Sequence, residues 1–340
     1  MSVPTPAAYR PELDGLRALA IALVIGHHLP LFSLPGGFVG VDVFFVLSGY
    51  LITQLLLRDL QQGRFHYGQF LLRRAMRLLP ALLLMLCLTS LAASLLLLPA
   101  DFARFAHSLT WVLPHLGNVF FWREYGGYFA ADSQTAPLLH TWSLAVEEQF
   151  YLLWPLALLL LWRMLGPRWT YALVLMGTLA GLLLSEWATR MTIGAAYYLL
   201  PTRAFELLAG ASLALAGLRP PTRSHPRGSQ VGALGLALIL GSALWLKPSD
   251  RFPGLAAVPV VLGTLLLLLP QAGWLCRSLS HPALLFIGQR SYALYLWHWP
   301  ILAFLHDRMP GEFALAGARH LAPGLGDGLS ELPLRGNAIA

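Results

Sequence analysis

The chain is short of charge. Only 11% of its 340 residues are Asp, Glu, Lys or Arg, against 57% hydrophobic, whereas soluble domains carry ~25% charged residues. A water-soluble chain of this length could not cover its surface with so little charge, and mean hydropathy is +0.63. Lys247 is the only lysine, so the net charge of +7 is almost all arginine. Those arginines are strung between apolar runs rather than gathered into a patch, which argues against a nucleic-acid partner. Cys87 and Cys276 are the only cysteines and lie far apart, so neither a CxxC site nor a disulfide framework is suggested. No GxxxxGK[ST] loop, HExxH pair or GxSxG elbow occurs, which leaves no motif for nucleotide hydrolysis, a zinc site or a serine hydrolase.

Long apolar runs dominate instead. A transmembrane helix needs ~20 mostly apolar residues to cross a hydrocarbon core of ~30 Å. Nine stretches qualify, at about 16–34, 37–57, 78–98, 141–162, 169–187, 197–217, 230–247, 254–270 and 283–305. The sequence therefore predicts an all-α polytopic transmembrane bundle. With the N-terminus in the cytoplasm, Arg10, Arg58, Arg64, Arg73, Arg74, Arg77, Arg163, Arg168, Arg219, Arg223, Arg227 and Arg277 fall inside. Arg104, Arg123, Arg190, Lys247 and Arg251 fall outside. This asymmetry satisfies the positive-inside rule, and the inverted topology would not.

Two connections are long. Residues 59–77 read as a basic amphipathic segment along the cytoplasmic face. Residues 99–140 form an external segment rich in aromatics, with 105–122 as a short interfacial or re-entrant helix; its rings are either an interfacial belt or stacking surfaces for a sugar. From Asp307 the chain turns to Gly, Pro, Ala and Leu without another span. Residues 1–306 are accordingly read as the membrane-embedded domain and 307–340 as an irregular tail.

Ionisable groups within spans cost ~2.5–3.5 kcal/mol each on insertion scales, so each needs a partner or a purpose. Arg17 and His28 share one face of the first helix, ~16 Å apart along its axis. Asp42 falls near the outer end of the second helix at the depth of His28, and Glu147 and Glu148 lie within two turns of the start of the fourth. If these helices pack together, a histidine and up to three carboxylates converge in the outer half of the membrane, where a carboxylate can orient an imidazole as a general base. His27 and His28 cannot both face that partner, and Glu147 and Glu148 point ~100° apart, so one of each pair is expected to line a site. On the cytoplasmic side, Arg73, Arg74 and Arg77 precede Pro80. Topology alone accounts for such a cluster, but guanidinium forks also match phosphate oxygens, and Arg74 and Arg77 share a helix side. Small residues around Ser48-Gly49 are read as contacts for close helix packing.

Several runs are more specific than any of this. They are Tyr9-Arg-Pro-Glu-Leu-Asp-Gly-Leu-Arg17, Gly36-Gly-Phe-Val-Gly-Val-Asp-Val-Phe-Phe-Val-Leu-Ser-Gly-Tyr50, Arg73-Arg-Ala-Met-Arg-Leu-Leu-Pro80, Pro137-Leu-Leu-His-Thr-Trp-Ser-Leu-Ala-Val-Glu-Glu-Gln-Phe-Tyr151 and Ser291-Tyr-Ala-Leu-Tyr-Leu-Trp-His-Trp-Pro300. Together, over roughly residues 9–305, they resemble the acyltransferase-3 family of membrane O-acyltransferases, which modify bacterial O-antigen, peptidoglycan and other exported glycans. The resemblance implies an inner-membrane enzyme with acyl-CoA, most simply acetyl-CoA, as donor and no metal. It implies a sugar hydroxyl of a surface glycan or lipid-linked saccharide as acceptor. It also implies catalytic roles for Arg17 and His28 rather than His27, a donor-binding role for Arg74 and Arg77 with Arg73 beside them, and a role for Glu147 or Glu148. His28, oriented by Asp42 or Glu147, would then either deprotonate the acceptor or briefly carry the acyl group. Members of the family usually have at least ten spans, and many carry an extracytoplasmic SGNH hydrolase-like domain. The chain is thus also compatible with a truncated non-catalytic remnant, with a separate SGNH-type partner, or with a proton-coupled transporter that uses the same His and carboxylates.

Overall fold

The computed structural model describes residues 9–29, 34–217, 226–269 and 273–308, so the proposed tail beyond 308 lies outside the described residues. Among the described residues every element is helical. Three of their stretches are long and apolar enough to cross a membrane, Gly37–Gln61, Tyr67–Leu96 and Thr141–Met191, and Ser229–Trp245 and Gly254–Leu268 are shorter apolar helices. This is the helical architecture of a polytopic membrane protein.

Helix α1 (Pro11–His28) opens with Pro11 at its first turn, where a missing N–H costs nothing. A 3-10 turn (Gly37–Val39) leads into α2 (Gly40–Gln61). Helix α3 (Tyr67–Leu96) runs unbroken through Pro80. The basic stretch expected at 59–77 is therefore the end of α2, a short connection and, from Tyr67, the first turns of this helix. Proline removes one helical hydrogen bond, and one bond out of thirty residues does not end the element.

The segment 99–140 is more ordered than expected. It holds α4 (Pro99–Val112) and α5 (Gly117–Tyr125), joined through His115 in the left-handed region at φ 58, and α5 ends on Gly126 at φ 67. Its aromatics divide between the core and partly exposed positions, with Trp111, Trp122, Tyr125 and Phe129 half-buried. Phe105, Phe120, Phe121 and Tyr128 are buried in the core.

Hydrogen bonding makes α6 one element of 51 residues (Thr141–Met191). At 1.5 Å per residue this is ~76 Å, far longer than the hydrocarbon core. Gly166, at φ 74 and ψ 174, divides it into two helical segments, and Pro167 follows at the position where the second segment tolerates a missing donor. The break falls between the stretches expected at 141–162 and 169–187. Then come α7 (Ile193–Tyr198), α8 (Leu200–Leu215), α9 (Pro226–Trp245), α10 (Val258–Leu268), α11 (Trp274–Leu279), α12 (Pro282–Gln289) and α13 (Ser291–Arg308). The stretch expected as one span at 283–305 is thus two helices, parted at Arg290.

Close backbone contact fixes the bundle. Helix α2 packs along α8, and a Cβ on Gly49 would overlap the Leu207 carbonyl just as one on Gly210 would overlap that of Val46. In the same way α12 lies on α1, with Gly288 against the Asp14 carbonyl. These contacts are the small-residue packing that membrane helices rely on where no hydrophobic driving force separates helix from lipid.

Candidate functional site

The charged groups sort themselves into three places. Asp42, on the first turn of α2, is wholly buried and accepts from Arg203 of α8 at 3.0 Å; the same guanidinium nitrogen donates to Glu206 at 2.8 Å. Arg203 also donates to the Tyr197 carbonyl, and its guanidinium lies 4.6 Å from the Tyr197 ring centre and 5.3 Å from that of Trp142. An uncompensated charge in this setting would be costly, so each carboxylate requires Arg203. Asp42 therefore does not orient His28, as the sequence reading expected. The nearest opposite charge is supplied by α8, and no spacing within 42–203 announces that pairing.

The second place is a cavity of about 720 Å³. Its wall includes Arg17 of α1, Arg74 and Arg77 of α3, Glu147, Glu148 and Tyr151 of α6, and Arg290 between α12 and α13. Arg74 lies with its guanidinium 4.2 Å from the Tyr151 ring centre, and its Nε is buried without a hydrogen-bond partner. Arg17 is 3.8 Å from Asp14. Glu147 accepts from Ser48 at 2.7 Å and more weakly from Tyr151 at 3.5 Å. Both glutamates line the cavity, although only one was expected to, because the space is wide enough to span two directions around α6. Neither is hydrogen-bonded to His28. Glu147 lies seven residues beyond His140, ~10 Å further along the axis of α6, and that carries the glutamates toward the arginines instead. Arg73 points away, donating to Asp59 at 3.4 Å while exposed to solvent, and it does not line the cavity.

The third place is the histidine end. Ser143 and Tyr295 belong to the cavity wall and share a hydrogen bond of 2.6 Å; Tyr295 also approaches the His140 carbonyl at 3.1 Å. The rings of His140, His298 and His28 follow in succession, with centroids 5.8 Å and 5.4 Å apart. His28 Nε2 is 3.0 Å from the Tyr128 hydroxyl. Tyr128 stacks on Tyr197 with centroids 4.7 Å apart, so the aromatic wall of this site continues into the Arg203 cluster. His27 turns aside and donates to the Leu34 carbonyl at 3.1 Å. Tyr128, His140 and His298 were not singled out as site residues from the sequence. The latter two stand inside the quoted runs, but no helical spacing links them to His28. Among the described residues, no group of three or more His, Cys, Asp and Glu is arranged to hold a metal ion.

Chemically, the arrangement offers an anion-binding cavity at one end and hydroxyl and imidazole groups at the other. Comparison with known proteins places the chain in a family. The model of the acyltransferase domain family (Acyl_transf_3) matches residues 10–317. The chain is 34% identical over 317 residues to a protein of Staphylococcus aureus (strain MSSA476), covering 88% of this chain and 52% of that one. It is 34% identical over 311 residues to the peptidoglycan O-acetyltransferase OatA of Listeria monocytogenes, covering 86% and 49%. It is 33% identical over 315 residues to the O-acetyltransferase OatA of Staphylococcus aureus (strain NCTC 8325 / PS 47), covering 88% and 51%. The chain spans about half the length of the curated relatives it matches. No solved structure matches it. With its long apolar helices, the match makes this a multi-pass inner-membrane protein.

Proposed function

The chain belongs to the acyltransferase domain family, and from that premise we propose that it moves an acetyl group from cytoplasmic acetyl-CoA to a sugar hydroxyl of a cell-surface or lipid-linked glycan. One observation carries the reading. A single cavity has three motif arginines, Arg17, Arg74 and Arg77, in its wall and also includes Ser143 and Tyr295, which adjoin the histidines. Its volume falls in the range of small-molecule and cofactor sites. The unpartnered, buried Nε of Arg74 is the kind of donor that a phosphate oxygen would satisfy.

In this reading the chain forms a membrane domain with about nine spans and a cytoplasmic N-terminus, and Asp307 and Arg308 belong to its last described helix rather than to a tail. Arg74 and Arg77 hold the donor's phosphates at the cytoplasmic mouth, and Arg17 lines the way inward. His28 takes the proton of the acceptor hydroxyl, while Tyr128 holds its ring. Glu147 and Glu148 balance the arginines of the cavity. An acetyl group is neutral and crosses more cheaply than any charged donor, which is the physical reason to keep the donor inside and the acceptor outside. The glycan, membrane lipid around the bundle and a separate extracytoplasmic SGNH-type protein are the expected partners.

The test uses the full chain in nanodiscs with acetyl-CoA radiolabelled in the acetyl group. Thioester turnover that requires both His28 and Arg77, lost in His28→Ala and Arg77→Ala, is the expected result. Turnover unaffected by either substitution would overturn the reading. Label retained covalently on the protein would make His28 an acyl carrier instead of a base.

A further inference from the structure

The proposed transfer uses one imidazole, yet three stand together. His28 comes from α1, His298 from α13 and His140 from the residue before α6, with His298 between the other two. Their hydrogen bonds distinguish them. His298 Nδ1 lies 2.7 Å from the Tyr295 carbonyl oxygen. A carbonyl can only accept, so Nδ1 carries the hydrogen, and in the neutral ring Nε2 is left as a bare lone pair. That Nε2 is shielded from solvent and meets no hydrogen-bond donor. A buried acceptor left unpaired is costly, a cost tolerated where a group is kept ready for a ligand or a proton.

The groups around it favour a neutral ring. His28 faces it from α1, with His27 and Tyr128 beyond. His140 faces it from the start of α6 and Tyr295 from its own helix. None of these is a carboxylate that would hold a second proton on the imidazole. His140 has no well-formed hydrogen bond at either ring nitrogen, so no tautomer is fixed there.

We infer that His298 is the proton-relay partner of His28, its Nε2 taking up through His28 the proton released by the acceptor hydroxyl. The inference rests on the acetyl-transfer reading. In the step concerned, the acceptor O–H bond breaks and its oxygen forms the new ester C–O bond as the thioester C–S bond breaks. The released proton is held by the pair of imidazoles and then passes to the departing thiolate, giving free CoA thiol. Two rings can hold that proton in a low-dielectric site better than one, because the charge is shared between them. His298 acts through His28, so its loss should slow transfer without weakening donor binding.

The experiment compares the full chain in nanodiscs with its His298→Gln, His298→Ala and His28→Ala variants, using acetyl-CoA as the probe. In His298→Gln kcat is expected to fall about 100-fold, the scale of general acid–base catalysis, with KM for acetyl-CoA unchanged and the low-pH limb of the rate profile displaced. In His298→Ala added imidazole is expected to restore part of the rate, and a non-basic ring of similar size, such as thiophene, is not. Nitrogen-15 NMR of histidine-labelled protein, with His298 assigned through His298→Gln, is expected to show a neutral ring protonated at Nδ1. A ring protonated at Nε2 would overturn the inference whatever the turnover. Turnover that survives His298→Gln with an unaltered pH limb would overturn it while leaving acetyl transfer standing. Absence of His28-dependent turnover in the parent chain would overturn both.

Discussion

His28 Nε2 and the hydroxyl of Tyr128, one hundred residues apart in sequence, lie 3.0 Å from each other. The bond ties the first helix to the segment that follows α5, and it fixes the imidazole at the point where the cavity gives way to the histidines. Tyr128→Phe keeps the stack on Tyr197 and removes only the hydroxyl. Leaving the buried Nε2 of His28 unpaired costs about 1–3 kcal/mol, so the fold should persist with a modestly lowered melting temperature. Acetyl transfer should fall about tenfold with donor affinity intact. Full activity in this variant, measured by acetyl-CoA turnover, would remove Tyr128 from the site.

The arginines make a graded prediction. Arg74 and Arg77 line the cavity, whereas Arg73 pairs with Asp59 outside it. Arg74→Ala and Arg77→Ala should each weaken CoA binding about tenfold or more, on the scale of a charge-assisted contact, and the effect should shrink as salt is raised. Arg73→Ala should leave affinity within about twofold, as expected for an exposed ion pair. Calorimetry of CoA binding decides it, and equal losses for all three would return the cluster to a diffuse surface attraction.

Asp42 is predicted to matter for folding and not for chemistry. Arg203→Met leaves Asp42 and Glu206 buried without their cation, a change that should destabilise by about 3–5 kcal/mol, read as loss of monodisperse protein on size exclusion. Asp42→Asn should lower thermal stability while turnover per folded molecule stays within a few-fold of the parent. A loss of about 100-fold or more at undiminished stability, the signature of a lost catalytic base, would make Asp42 part of the acyl-transfer centre.

Packing supplies another test. Gly49 and Gly210 let α2 and α8 touch through their backbones. Gly49→Ala must push the Leu207 carbonyl away, and overpacking of this kind costs about 1–3 kcal/mol. The melting temperature should drop. Gly68→Ala is the control, because a Cβ there meets nothing within 4 Å, and removing glycine from a helix should if anything stabilise. Equal stability of the two variants would contradict the close α2–α8 contact.

Much of the site could be read along the chain where it depends on one helix at a time. Arg17 and His28 share a face of α1, and Arg74 and Arg77 a side of α3, because helical spacing is local. Gly49 could be read as a packing position, but its counterpart Gly210 on α8 could not. The carboxylates could not be placed. Asp42 and Glu147 looked like companions of His28 by depth, but depth along a span does not say which neighbour a helix turns toward. Arg203 claims Asp42 from 161 residues away, and Glu147 meets Ser48 of α2. His140, His298 and Tyr128 escaped notice because three different elements bring them together.

Composition and the long apolar runs together pointed to a protein of membrane helices, since so few charges cannot clothe a soluble surface and runs of ~20 apolar residues match the length of a span. Its motifs alone determined the family. Tertiary structure decided which ionisable groups face one another: arginines and glutamates around a cavity, Arg203 between Asp42 and Glu206, and three imidazoles together. The reason is that a backbone helix is stabilised within its own segment, so its existence is written locally. A side chain's partner in a low-dielectric interior is chosen by the rotation and contact of whole helices, which no single segment encodes.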